Sequence, residues 1–191
     1  MKIISAVKHS LFGTLVAIGL LSAPTAVSSE EMTVRKGNIV SDLIVSADKL
    51  LIEAEIASDL IAAGGEVEVN SNIKGDALII GGRLDVTKTI QGGLVAMAGN
   101  LAMEANVQDA VSIFAGKATV SGDIKGDALA IGGKLIFAGD VDGDLRAAAG
   151  KLILRDRING NVLASAGILT IEDSATITGK ATLGAGTIRI E

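Results

Sequence analysis

The chain has 191 residues, room for one domain, and its 17 Lys and Arg against 22 Asp and Glu give a formal charge of −5. Apolar residues make up 49% of it but aromatic residues only 2%, with 24 Gly, one Pro and no Cys, Trp or Tyr. That excludes disulfide and thiolate chemistry and predicts a narrow interior of stacked Ala, Val, Ile and Leu, not a core anchored on large rings.

Residues 1–28 read as a secretory signal. Lys2 and Lys8 supply the basic start, Leu11 to Leu21 the apolar stretch, and Ala26-Val27-Ser28 the small residues before a cleavage site. The apolar run falls short of the ~20 residues a spanning helix needs, so cleavage after Ser28 is favoured over retention as an anchor. Cleavage removes Lys2, Lys8 and the single histidine, His9, and no acid, which moves the formal charge to −7. The expected location is the periplasm or the cell surface. An acidic surface without a basic stripe argues against nucleic acid as a partner. Membrane contact is expected only if the N-terminal segment stays attached. Residues 29–39 fit the following pattern poorly and read as an N-terminal cap or tail.

From Val40 onward the chain repeats every 17 residues. Residues 74–90 read KGDALIIGGRLDVTKTI and residues 125–141 read KGDALAIGGKLIFAGDV. Coils start at Val40, Ala57, Lys74, Gln91, Gln108, Lys125, Asp142 and Asn159. Two extra residues follow Ala175, and a last coil runs from Thr178 to Glu191. Positions 4 and 6 are apolar in every coil, position 8 is Gly or Ala, and positions 11 and 13 are almost always aliphatic. Alternation with period two is a strand signature, and helical spacing is missing. Position 17 is Ile or Val except at Ala175. Position 9 is Gly in all coils but the first, which has Asp48, and this predicts a corner with positive φ. Position 2, mostly Gly or Ser, predicts another. The predicted fold is all-β: a single-stranded parallel β-helix of about nine coils over residues 40–191, three-sided and right-handed. At ~4.8 Å per coil it forms a rod of roughly 43 Å.

Gly75-Asp76, Gly81-Gly82, Leu84 and Val86, and again Gly126-Asp127, Gly132-Gly133, Leu135 and Phe137, resemble the bactofilins, the polymer-forming cytoskeletal proteins. The likeness runs from about Val40 to the C-terminus. It implies a right-handed β-helix that stacks end to end into filaments without nucleotide. Bactofilins are usually cytoplasmic, whereas this chain carries an export signal.

Three features are candidates for function. The last coil presents a stacking edge through Leu183, Ile188 and Ile190, because a bare β edge exposes unpaired backbone groups and interior side chains. Arg189 and Glu191 are the competing reading, as charges that keep such an edge monomeric. Second, positions 5 and 7 point outward yet are hydrophobic in the central coils: Leu78, Ile80, Val95, Met97, Phe114, Leu129 and Ile131. They form an apolar face that turns polar or small toward the ends, at Ser46, Arg146, Ser165 and Thr182. Third, position 3 carries Asp42, Asp59, Asp76, Asp127 and Asp144, whose spacing suits a hard cation but suits a turn acceptor better.

Enzyme chemistry has little to build on. With His9 removed there is no histidine base, and no Ser-His or Cys-His pair, phosphate loop or zinc spacing occurs. No catalytic, cofactor-binding or metal-binding residue is assigned, and no cofactor is expected. Two readings follow. One is an exported scaffold that self-assembles by end-to-end coil stacking, with itself as partner. The other is a monomeric periplasmic or surface module whose apolar face binds an envelope protein.

Overall fold

A computed structural model describes residues 31–34 and 37–191. The signal reading therefore lies outside the described residues. Within them the chain is all-β, a parallel β-solenoid of about nine turns spaced about 17 residues apart. Each turn contributes one ten-residue strand at positions 4–13. In chain order the strands are β1 (Glu31–Val34), β2 (Asn38–Ile39), β3 (Leu43–Ile52), β4 (Glu55–Ile56), β5 (Leu60–Val69), β6 (Ala77–Val86) and β7 (Leu94–Met103). They continue with β8 (Val111–Val120), β9 (Ala128–Phe137), β10 (Leu145–Leu154), β11 (Arg157–Ile158), β12 (Val162–Ile171), β13 (Thr176–Ile177) and β14 (Ala181–Ile190).

The long strands and β1 stack into one ten-stranded sheet in the order β1-β3-β5-β6-β7-β8-β9-β10-β12-β14. Position 17 forms a second ladder. Ile39 pairs with Ile56, single bridges carry it through Ile73, Ile90, Val107, Ile124 and Val141 to Ile158, and Ile158 pairs with Ile177. Every rung pairs like with like because the pitch is constant, so a side chain is covered by its own column above and below.

The core follows the columns. In the coils between the first and the last, positions 4 and 6 are buried, then 11 and 13, so the inward parity shifts from even to odd across position 9. One chain thereby lines two flanks of the interior. Volumes compensate within a coil: Leu60 stands beside Ala62, Ala77 beside Ile79, and Leu94 beside Ala96. Residues 125–141 have alanine at both places, Ala128 and Ala130, and this is the coil that accommodates Phe137, which is 2% exposed. Matched volume keeps each layer near native packing density.

The glycines correct the conformation expected at the position-9 corner, not its place. None lies at the positive φ predicted for position 9; the strand continues through it, but the ladder skips this residue and the inward parity changes across it, so the chain bends there without a left-handed glycine. What position 9 needs is space. A Cβ on Gly116 would stand 2.7 Å from the carbonyl oxygen of Gly99, and one on Gly150 would stand 2.8 Å from that of Gly133. Glycine is selected there because backbone lies directly beneath it.

Two further differences concern the ends. Glu31–Val34 pairs with Lys49–Ile52, and Asn38–Ile39 pairs with Glu55–Ile56, so part of the segment read as cap or tail continues the ladders. Near the other end the two extra residues do not follow Ala175. Leu154 pairs with Ile171 at a spacing of 17, but Ile158 pairs with Ile177 at 19, which places the insertion between Ile171 and Thr176. The residue that fills the position-17 column is Ile177, not Ala175, so that column is aliphatic without exception.

Candidate interaction surfaces

The outer edge of β14 is paired with no described strand; its other edge pairs with β12. Its inward column is consequently uncovered. Ile188 is 46% exposed and Ile190 77%, while their partners in β12, Leu169 and Ile171, are buried and half-buried. Leu183 is half-buried and packs against the core. Arg189 and Glu191 are exposed beside them. The three residues expected at a stacking edge thus occupy one surface, with a free row of strand amides and carbonyls.

The outward columns also come together as read. Ile80, Met97, Phe114 and Ile131 are direct partners in successive strands, 38–46% exposed. In the neighbouring column Leu78 pairs with Val95, Ser112 interrupts, and Leu129 follows. Leu78 is half-buried, whereas Val95 and Leu129 are exposed. The patch extends further than expected, since Ile44, Ile61 and Leu163 at position 5 are also exposed. Their place in the column is visible in the sequence, beside the smaller Ser46, Ala63 and Ser165 at position 7 of the same coils.

The aspartates of position 3 act as staples between coils. The amide of Asp76 donates to Asp59 Oδ1 at 2.8 Å, and that of Gly93 donates to Asp76 Oδ1 at 2.7 Å. The amides of Asp144 and Asn161 donate to Asp127 and Asp144 in the same way, both at 2.8 Å. The acceptor role was anticipated, but the donor lies one coil on, not within the same turn. A charged acceptor on a backbone amide is among the stronger hydrogen bonds available. Asp42 takes the Ser58 hydroxyl at 2.5 Å and the Asp59 amide at 3.4 Å, and these hold its carboxyl below the ordinary value.

A second staple column was not foreseen. At position 16, Asn106, Asp123 and Asp140 accept the amides of Asp123, Asp140 and Arg157 at 2.9, 3.2 and 3.2 Å. Arg157 also places its guanidinium 2.6 Å from Asp140 Oδ2. At position 1, Lys125 Nζ lies 3.0 Å from Asp142 Oδ2. The hydrogen bond from Lys125 holds the Asp142 carboxyl down, and Asp142 in turn raises Lys125. No group of three His, Cys, Asp or Glu suited to a metal ion occurs among the described residues. No helix there is long and apolar enough to cross a membrane.

Comparison with known proteins returned no matching family model, no matching curated protein and no matching solved structure.

Proposed function

We propose that the chain is an exported structural scaffold, similar to the bactofilins, that assembles by stacking coils end to end through the free edge of β14. It is not an enzyme in this reading and uses no cofactor. A β-solenoid fold is compatible with a scaffold of this kind. The observation that carries the proposal is the uncovered inward column of β14, with Ile188 and Ile190 exposed. Ile188 and Ile190 are already partly covered, so burying what remains exposed contributes about 2–4 kcal/mol. Association costs at least about 4 kcal/mol, so the apolar contact alone is marginal. The strand hydrogen bonds of the free edge supply the remainder, and this favours a partner with a strand in matching register, such as another copy of the chain.

A second reading rests on the exposed Ile80–Ile131 column: a monomeric module that binds an envelope protein through that face. Solution mass separates the two. Light scattering and negative-stain microscopy of residues 29–191 across concentration are expected to show filaments or rising mass. Ile188→Asp with Ile190→Asp should abolish it, and Leu78→Lys with Ile131→Lys should leave it. A monomer at every concentration overturns the stacking proposal and leaves the apolar face as the binding surface.

A further inference from the structure

Charge is segregated along this chain, in a way its overall acidity conceals. The strands β8, β9, β10 and β12 contain no Asp or Glu, and their charged residues are Lys117, Lys134, Arg146 and Lys151. The acids of these coils lie in the segments between the long strands. Lys117, Lys134 and Lys151 all stand at position 10, and each is the direct partner of the next. The expectation of a surface without a basic stripe is therefore corrected.

Three ammonium groups in one file, one coil apart, span roughly 10 Å. Like charges directly opposite in a sheet repel. Arg146 is held by Asp127 and Asp144 at position 3. The three lysines form no ion pair with a described residue, and the strand residues beside them are neutral. On one side runs the bare glycine column; Lys117 is exposed and Lys134 and Lys151 are half-buried. The file continues toward the N-terminus through Asn100 to Arg83, which is paired with Glu66 at 3.5 Å, along a shallow groove of about 320 Å³ lined by Arg83, Asp85, Asn100, Lys117 and Thr119.

We infer that this lysine ladder binds an extended polyanion whose charges recur about every 5 Å, an acidic polysaccharide bearing a carboxylate on each sugar. Such a chain laid along the axis brings carboxylates against the file and lowers the repulsion within it. Nucleic acid fits less well, because the column offers no aromatic ring on which a base can stack. A lipid surface fits less well, because the charges form a single file and not a plane.

The test is fluorescence anisotropy of labelled polygalacturonate with the purified protein, at low and high salt. The triple variant Lys117→Gln, Lys134→Gln, Lys151→Gln is expected to weaken binding about 10- to 100-fold and to flatten its salt dependence. A charge-matched control, Lys74→Gln, Lys88→Gln, Lys180→Gln, should change it by less than about threefold. Circular dichroism checks that both variants keep their β-content. Equal losses in the two triples overturn the proposal, as does failure of the wild type to bind. So does preferential binding of a single-stranded oligonucleotide or of anionic vesicles.

Discussion

Replacing Gly116 by alanine tests the claim that the position-9 glycines answer to space. The added Cβ would stand 2.7 Å from the Gly99 carbonyl oxygen and 3.7 Å from the Gly99 carbonyl carbon. That carbonyl belongs to β7, whose flanking residues Ala98 and Asn100 are themselves paired with Ala115 and Lys117. It cannot swing aside without lengthening those rungs. Overpacking of this kind costs about 1–3 kcal/mol. Gly184→Ala is the internal control, because a Cβ there meets nothing within 4 Å. The control should stabilise by about 0.4–1 kcal/mol, through the lost freedom of the unfolded chain. The two variants should thus differ by about 1.5–4 kcal/mol, or roughly 3–16 °C in Tm for a chain of this size. Thermal melts followed by far-ultraviolet circular dichroism measure this, with urea unfolding as a second probe because stacked repeats need not unfold in one step. Equal melting temperatures for the two variants would refute the reasoning.

Three other substitutions probe the staples and the core. Ala110 interrupts the position-3 column, and Ala110→Asn should offer the Asp127 amide the acceptor that Asn161 offers Lys180 at 3.0 Å, adding about 0.5–1.5 kcal/mol in urea unfolding. Ser71 is 7% exposed and its buried hydroxyl has no hydrogen-bond partner among the described residues, so Ser71→Ala should raise stability by about 1 kcal/mol in the same assay. Asp142 is held below its ordinary pKa of 3.8 by Lys125, so its contribution is complete above that value and is lost as pH falls through the lower folded-state value. Asp142→Asn should therefore reduce the loss of Tm on acidification from pH 5 into that range, and an unchanged acid slope would count against the pair.

The coil period and the inward columns were legible because a solenoid writes each of its columns into the sequence at a fixed interval. What was misread has specific causes. A glycine needed for positive φ and a glycine needed for a close carbonyl look alike in a sequence, and only the Gly99–Gly116 approach separates them. The insertion was misplaced because Ala175 and Ile177 are both apolar, although an otherwise aliphatic column favoured Ile177. The position-16 acceptors mix Asn106 with Asp123 and Asp140 and so read as variation. The lysine file was hidden by counting charge over the whole chain and not by column.

The turn at Glu172–Ala175 holds one more consequence. It closes with the Ala175 amide on the Glu172 carbonyl at 2.8 Å and the Ser174 hydroxyl on the Arg155 carbonyl, and the strands on both sides keep their pairing. The rod thus absorbs surplus chain at this point without transmitting it along the axis. Each doubling of a loop's length costs only about 0.6 kcal/mol. A peptide epitope or a fluorescent reporter grafted between Asp173 and Ser174 would be displayed from the side of the rod, at a fixed height, with every rung beneath it intact.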